Sequence, residues 1–259
     1  MSLPVFKVDA GRLGGLGPGA VLTVTGPEAR HAVTVRRLVP GEPLELVDGA
    51  GARATGELLA AGRESMDVRL GEVSTDPVRR PRLVLAQALA KGERDLLAVE
   101  TATELGIDAV VPWQAERSIV RWKKERAAKS HEKWVHTVAA AAKQSRRAAW
   151  PEVLPLAGTR ELAALLREPV TAGLVLHEQA TDGLADLLGA PRTPWAGAER
   201  IVLVVGPEGG IAPAELEALA EAGAGSVRLG PEVLRSSTAG PAALAVLSAS
   251  LGRWAGASG

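Results

Sequence analysis

The chain has 259 residues, 46% of them apolar and 23% charged, which suits one large or two modest globular domains. Cysteine is absent, which excludes disulfides, thiolate catalysis and thiol-ligated metals and suits a reducing compartment. Since no apolar run approaches transmembrane length and no signal peptide is recognisable, we expect a cytoplasmic protein that has no membrane or metal partner.

The net charge is zero, but the charges are unevenly distributed along the chain. Residues 79–150 carry 15 basic and 8 acidic side chains, whereas residues 1–78 carry 8 and 10 and residues 151–259 carry 7 and 12. A local basic excess indicates either a nucleic-acid surface or a solvated helical face. The counts alone leave both interpretations open.

The first 73 residues predict a small β-barrel or mixed domain. Its predicted elements are β-branched strands at 21–26, 42–49 and 65–73, separated by PG, DG and AG turns, and a short helix within 27–38. The segment TDPVRRP (75–81) combines two prolines with charged residues, as linkers do. We therefore expect a domain over 1–73, a linker over 74–81 and a second domain over 82–259.

In the second domain strands alternate with helices. The predicted strands are 82–89, 107–112, 171–178, 201–205 and 226–230. The predicted helices are 93–105, 130–147, 213–222 and a closing helix with Leu244, Leu247 and Leu251 along one face. This alternation predicts an α/β fold with a mostly parallel sheet that helices cover on both faces.

The segment LVVGPEGGIAPAEL (203–216) runs from a strand through a glycine-rich loop to a helix. The spacing of Gly206, Gly209 and Gly210 fits neither GxxxxGK[ST] nor GxGxxG, and Glu208 would repel a pyrophosphate. S-adenosylmethionine has a sulfonium, an ammonium and no phosphate, so it suits this loop better. Taken alone, the loop still favours a simple glycine turn that packs against a helix.

A second strand–loop–helix segment occurs at LGPEVLRSSTAGPAALAVL (229–247). It combines a Gly-Pro turn, an arginine, consecutive hydroxyl residues and small side chains that permit close approach, namely Ala239, Gly240, Ala242 and Ala243. Two such loops after neighbouring strands would form a crevice at the carboxyl edge of the sheet.

Together these loops resemble those of the ribosomal RNA small-subunit uridine N3-methyltransferases (RsmE) of the SPOUT class. Three further segments are similar to the family in the same order: RHAVTVRRLVPGEPLELVDGAG (30–51), KGERDLLAVETATELGIDAVVPWQAERSIVRW (91–122) and AAAKQSRRAAWPEV (140–153). The resemblance implies an N-terminal PUA-like β-barrel and a SPOUT-type C-terminal domain with a trefoil knot. It also implies a homodimer that transfers a methyl group from S-adenosylmethionine to N3 of one uridine in the decoding region of 16S rRNA, within the assembled small ribosomal subunit.

Carried over by position, the resemblance implies a set of cofactor-binding residues: Leu176, His177, Gly206, Pro207, Glu208, Gly209, Gly210, Leu229, Gly230, Leu234, Ser236 and Thr238. The chain departs from the family at RSSTAG, where RTETA is usual, so Ser237 offers no acid. Ala212 replaces the Ser or Thr that is often found before the helix proline, which removes an N-cap.

Uridine N3 is a poor nucleophile until its proton leaves, so the site must stabilise an anionic uracil or supply a base. Arg235 is the leading candidate to hold a uracil oxygen, although it could instead hold an RNA phosphate. Glu208 would balance the cofactor's positive charge or cap the following helix. His177 could act as a base but is better explained as a wall of the pocket.

The candidate RNA-binding residues are basic side chains of both domains, and they would mostly contact phosphates: Arg36, Arg37, Lys91, Arg94, Arg117, Arg121, Arg146 and Arg147. We expect about a third of them to be solvated surface charges instead. Base stacking would have to use tryptophan, and Trp113 and Trp150 lie beside basic residues, although core packing explains both better.

Three other functions remain open. A SPOUT enzyme acting on a ribose oxygen or another base is disfavoured by the N-terminal domain and the KGERD, ATELG and ERS segments. An RNA-binding assembly factor without catalysis gains slight support from RSSTAG. A nicotinamide dehydrogenase is disfavoured by the glycine spacing and by Glu208.

Overall fold

The computed structural model describes residues 3–255, which form two compact units. The first unit contains the chain up to Val78 together with Ala142–Trp150. The second contains Arg79–Ala141 and the chain from Pro151 onwards.

The first unit is built on a curled five-stranded sheet, an open half-barrel. Its strands are β1 (Val5–Lys7), β2 (Val21–Thr25), β3 (Pro43–Val47), β4 (Ala52–Ala61) and β5 (Ser65–Thr75), in the order β1-β3-β4-β5-β2. The β4–β5 pairing shifts register twice, and such bulges bend a sheet. Buried side chains such as Phe6, Leu44 and Leu58 fill the concave face. The structure thus confirms the predicted small β domain.

Three details of this unit differ from the prediction, and one of them is β1 (Val5–Lys7), which was not predicted. The helix predicted within 27–38 is only α1 (Pro27–Arg30), followed by a π-helical turn, His31–Val35, because three consecutive β-branched residues end that turn. Strand β4 was missed because its alanine-rich sequence has low β-propensity. Pairing with β3 on one side and β5 on the other stabilises it.

The second unit contains a six-stranded sheet. Its strands are β6 (Arg82–Ala88), β7 (Ala109–Trp113), β8 (Glu152–Val153), β9 (Thr171–Leu176), β10 (Arg200–Val205) and β11 (Ala224–Val227), in the order β11-β9-β10-β6-β7-β8. Every pairing is parallel, which confirms the predicted parallel sheet. The central strands are apolar on both faces because each face is buried.

Helices cover both faces of this sheet, as predicted. They are α2 (Arg94–Glu104), α3 (Lys124–Gln144), α4 (Thr159–Leu166), α5 (Leu184–Leu188), α6 (Pro213–Glu221) and α7 (Ser236–Ser250). Side chains of α2, α3 and α7 pack in one apolar cluster, and those of α4 and α6 pack in the other. Helix α7 approaches the sheet closely, since a Cβ at Gly240 would lie 2.8 Å from Leu85 Cδ1.

Helix α3 differs from its predicted span of 130–147. It begins at Lys124, since KERAAK consists of good helix formers, and it ends at Gln144. Arg146, just beyond that end, has a left-handed φ of 57°, which an α-helix does not allow.

Within residues 3–255, no helix is long and apolar enough to cross a bilayer. The same residues include no group of three or more His, Cys, Asp or Glu side chains placed to hold a metal ion.

Candidate active site

Five of the loops that follow the parallel strands emerge at one edge of the second unit's sheet. They are 89–93 after β6, 114–123 after β7, 177–183 after β9, 206–212 after β10 and 228–235 after β11. Ligands of open α/β sheets bind at this carboxyl edge, particularly where the strand order changes direction. The order changes between β10 and β6, and the glycine-rich loop follows β10.

A cavity of about 410 Å³ lies at this edge, a size typical of small-molecule sites. It is lined by Arg94, Leu176, His177, Glu178, Val205, Gly206, Pro207, Glu208, Gly210, Ile211, Val233, Leu234, Arg235, Ser236 and Ala239. A smaller depression shares the wall formed by Leu176, His177 and Leu234, and it extends to Leu229 and Gly230.

Each glycine of the GPEGG loop has its own local environment, which determines whether a side chain could replace its hydrogen. A Cβ at Gly206 would lie 2.6 Å from Ile211 Cγ1, so only glycine lets the loop close on itself. The Gly210 N–H donates to the Pro207 carbonyl at 2.9 Å, and Gly210 has a φ of 72°. Gly209 faces Arg117, whose Cβ would be 3.4 Å from an added methyl group, an ordinary contact.

Glu208 is held by residues from the loop after β6. Its Oε1 accepts from Arg94 Nη1 at 3.0 Å and from the Lys91 backbone N–H at 3.3 Å. Among the described residues, no donor lies within hydrogen-bond distance of its Oε2. Glu208 does not cap the helix that follows it, because Glu215 has that role.

Helix α7 begins at the cavity. Arg235 precedes its first residue, is exposed, and forms no ion pair with a described carboxylate. The Ser236 hydroxyl is buried, and the described chain offers it no hydrogen-bond partner. A buried hydroxyl without a partner is costly unless a ligand or water satisfies it, so this atom marks a place for a polar ligand group.

His177 is half-buried in the wall of the cavity. Its backbone N–H donates to the Val227 carbonyl, and its Nδ1 accepts from the Gln179 backbone N–H at 3.3 Å. An accepting Nδ1 places the proton of neutral imidazole on Nε2. His177 thus forms part of the cavity wall, with Nδ1 engaged by the backbone.

A buried carboxylate, Glu215, ties three segments together beneath the site. It accepts from the Glu116 backbone N–H at 2.9 Å, from the Thr159 hydroxyl and from the Ala212 backbone N–H at 3.3 Å. Glu215, the third residue of α6, therefore caps the helix by accepting from the backbone N–H of Ala212. Ala212 occupies the N-cap position but has no side-chain oxygen with which to cap the helix itself. Sequence reasoning placed Glu215 near this helix end but missed its links to the other two segments.

The loop after β6 turns sharply at Gly92 and Glu93, both with a φ of 61°. Asp95, two residues after Glu93, accepts from the Leu96 backbone N–H at 2.9 Å. Burial raises the pKa of Asp95 above its ordinary value, and hydrogen bonds from the backbone of Leu96 and Ala90 partly oppose that rise.

The structure brings most of the predicted cofactor residues together around the two depressions; Gly209 and Thr238 line neither of them. Four predicted RNA-binding residues lie at the same edge. Arg94 lines the cavity, Lys91 is adjacent to Glu208, Arg117 Nη1 donates to the Gly209 carbonyl at 3.2 Å, and Arg121 donates to the Glu116 carbonyl.

The other predicted RNA-binding residues belong to the first unit: Arg36, Arg37, Arg146 and Arg147. Arg36, Arg37 and Arg146 are exposed, and Arg147 accepts through its carbonyl from Trp150 Nε1. Trp113 is fully buried in the core, which excludes base stacking on it. Lys7 Nζ lies 4.1 Å from the centroid of the Trp150 ring.

Glu178 and Val233 line the cavity but were not predicted. Glu178 follows His177 directly at the end of β9, so its position after a predicted strand could have indicated it. Val233 is 77% exposed although it borders the cavity, and no local pattern distinguishes it from a loop residue.

Two family models match the chain: the RNA methyltransferase domain over residues 78–248 and the RNA methyltransferase PUA domain over residues 24–71. The chain is 46% identical to ribosomal RNA small subunit methyltransferase E of Mycobacterium tuberculosis over 239 residues, 91% of this chain and 89% of the relative. It is 29% identical to the Bacillus subtilis protein of that name over 227 residues, 87% of this chain and 89% of the relative.

Solved structures are similar over nearly the whole chain. Ribosomal RNA small subunit methyltransferase E of Neisseria gonorrhoeae, bound to S-adenosyl methionine, superimposes with a TM-score of 0.81 at 30% identity, covering 96% of this chain and 98% of that one. A Legionella pneumophila protein in complex with the cofactor SAM superimposes with a TM-score of 0.80 at 28% identity, covering 96% and 98%.

Proposed function

Because the chain belongs to the ribosomal RNA small subunit methyltransferase E family, we propose that it methylates N3 of one uridine in the decoding region of 16S rRNA. The methyl donor is S-adenosylmethionine, and the substrate is the assembled small ribosomal subunit. The main support for the proposal is the cavity at the carboxyl edge, where the loop after β10 and the loop after β11, both predicted from the sequence as ligand-binding loops, meet.

The residues of this cavity fit S-adenosylmethionine. The unpartnered Ser236 hydroxyl can donate to or accept from a ligand hydroxyl, and the free Oε2 of Glu208 can accept from a ligand ammonium or hydroxyl. The wall of Leu176 and Leu234 offers an apolar surface for an adenine ring. When bound, S-adenosylmethionine supplies an electrophilic methyl group.

The chain's own contribution is to position the uracil and stabilise its charge. We assign Arg235 to a uracil oxygen, where its guanidinium offsets the negative charge that develops as the N3 proton leaves. Glu208 balances the positive charge of the methyl donor, and Arg94 holds the Glu208 carboxylate at the cavity. We therefore assign Arg94 to the ion pair with Glu208, whereas the sequence alone predicted a contact with an RNA phosphate.

We further propose that the protein is a homodimer. Helices α2 and α7 pack on each other, and both leave apolar side chains exposed: Leu97 on α2 and Val246 on α7. Val233 and Leu234 are also exposed beside the cavity, and a second subunit would cover them. Exposed apolar groups on neighbouring elements mark an association surface.

Three further proposals come from family membership. The chain between β9 and α7 passes through a trefoil knot. The domains are those predicted, over 1–73 and 82–259 with a linker at 74–81, except that β5 continues to Thr75 and Ala142–Trp150 belongs to the first unit. The remaining basic residues predicted in the sequence contact rRNA phosphates, at the ribosome and thus in the cytoplasm.

The test is methyl transfer from labelled S-adenosylmethionine to small ribosomal subunits that lack their native modification, followed by mass spectrometry of the digested nucleosides. We expect 3-methyluridine. A different methylated nucleoside would identify another SPOUT reaction. Cofactor binding without transfer would indicate another RNA target, and the absence of both would favour an assembly factor.

A further inference from the structure

The exposed face of α3 carries an unbalanced positive charge. Residues 121–136 contain six Lys and Arg side chains and only two Glu. Arg126, Lys129 and Lys133 are spaced by three and four residues, so they lie on one face of the helix. They line a depression of about 670 Å³, which we call the basic depression, with Ser130, Glu132 and His136.

Two of these cations lack acidic partners. Lys133 is paired with Glu93. Among the residues that the structure describes, no carboxylate lies within ion-pairing distance of Arg126 or Lys129, and both are exposed. Their charge is therefore available to an anionic partner.

An apolar groove of about 640 Å³ adjoins the basic depression, and the two share Glu132 and His136. Its other lining residues are Trp122, Ala127, Ala128, His131, Val135, Pro155 and Leu156. The Trp122 ring is fixed by edge-on contacts with Trp134 and His131, with centroids 5.8 and 6.4 Å away. The groove thus offers a preformed aromatic and aliphatic surface beside free cations.

This combination fits single-stranded RNA better than another protein surface. Proteins hold unstacked bases on aromatic and apolar side chains while cations follow the phosphates. A two-fold contact between copies of this chain through the groove would bring Arg126 and Lys129 towards their own counterparts, and like charges repel. The charge of the surface therefore favours a polyanion.

The groove is also tied to the catalytic edge. The Trp122 backbone N–H donates to Gln114 Oε1 at 2.9 Å, and Gln114 directly follows β7. Trp122 lies five residues after Arg117, which contacts the GPEGG loop, so the two Cα atoms are at most about 18 Å apart. An RNA strand leaving the cavity can reach the groove.

We infer that α3 binds a single-stranded segment of the substrate RNA, with one unstacked base in the apolar groove against Trp122 and phosphates on Arg126 and Lys129. The inference rests on the proposed function for the identity of the RNA. It adds a docking surface on a helix whose basic residues were absent from the predicted RNA-binding set.

The test compares three variants of the full chain with the unmodified protein. Arg126→Gln/Lys129→Gln removes the phosphate contacts, and Val135→Ser removes an apolar wall without touching the ring contacts of Trp122. Arg167→Gln/Arg192→Gln is the matched control, because it removes two exposed charges of the same unit elsewhere. Binding to small ribosomal subunits is measured over a range of salt concentrations, and S-adenosylmethionine binding by calorimetry reports that each variant is folded.

We expect Arg126→Gln/Lys129→Gln to bind about 25-fold more weakly at 0.1 M salt and to lower the slope of log K against log salt by about 1.4. Val135→Ser should bind several-fold more weakly with an unchanged slope, and the control should match the unmodified protein. Unmodified affinity and slope in Arg126→Gln/Lys129→Gln would overturn the inference. So would a dimer that Val135→Ser splits in sedimentation equilibrium, because the groove would then be a protein interface. If the unmodified protein fails to bind the subunit, the proposed function fails and this inference fails with it.

Discussion

Gly206 provides a direct test of how closely the cofactor loop must fold on itself. In Gly206→Ala the new Cβ would lie 2.6 Å from Ile211 Cγ1. Ile211 is buried, so either its side chain or the loop must move by roughly half an ångström. Gly206 does not have a positive φ, so the effect is a pure steric one and not a matter of backbone strain.

Overpacking of this kind costs about 1–3 kcal/mol. We expect Gly206→Ala to lower the melting temperature by about 2–4 °C per kcal/mol. If the loop moves rather than Ile211, S-adenosylmethionine affinity falls as well, by about 5- to 150-fold for the same free energy. Isothermal titration calorimetry measures the affinity, and differential scanning calorimetry measures the stability.

Gly209→Ala is the matched control, since it adds the same methyl group to the same loop. There the new Cβ would lie 3.4 Å from Arg117 Cβ, an ordinary contact. We therefore expect near-native affinity and stability. Equal cofactor affinities for Gly206→Ala and Gly209→Ala would refute the idea that close packing of Gly206 on Ile211 shapes the cofactor site.

Four other predictions test the site and its surroundings. Arg235→Lys should lower single-turnover methyl transfer by about 100-fold with a much smaller change in cofactor affinity, because a point charge replaces a planar donor; equal losses in both would assign Arg235 to the cofactor. Glu215→Gln should cost about 1–3 kcal/mol of unfolding free energy through its buried hydrogen bonds, measured by urea titration, whereas exposed Glu217→Gln on the same helix should change stability little. Burial raises the pKa of Asp95, so the stability that its protonated form contributes is present below pH 3.8 and is lost as pH rises through the raised pKa. The melting temperature of Asp95→Asn, measured relative to that of the unmodified protein, should accordingly increase as pH rises. Melting temperatures of the two proteins that change in parallel with pH would contradict this. Val246→Lys should shift the protein from dimer to monomer in sedimentation equilibrium, and an unchanged mass would remove α7 from the interface.

The second unit shows where local sequence was sufficient. The run IVLVV has the continuous apolar character of a strand buried on both faces, and it lies within β10. Helix α2 ends before Gly106, whose φ of 100° favours glycine after a helix end. Both features arise from neighbours along the chain, which is why sequence periodicity predicted them.

The first unit shows where local sequence misled. Strand β4 has an alanine-rich sequence that no propensity would favour, yet it is ten residues long. Its backbone hydrogen bonds to β3 and β5, the strands immediately before and after it in the chain, decide its conformation, and the propensities of its own residues do not report that pairing. Pairing between strands overrides the preference of single residues.

The features of the candidate site also separate into those that local sequence predicted and those that depend on tertiary structure. The sequence by itself determined the candidate loops, because the order strand, glycines, helix and the run LGPEVLR are local features. Only the tertiary structure decided that Glu208 is paired with Arg94, 114 residues away, and that Glu215 joins Glu116 to Thr159. The physical reason is that a local pattern sets the backbone path and the buried face of each element. The partner of a charged side chain depends on which strands become neighbours, and that depends on the packing of the whole sheet.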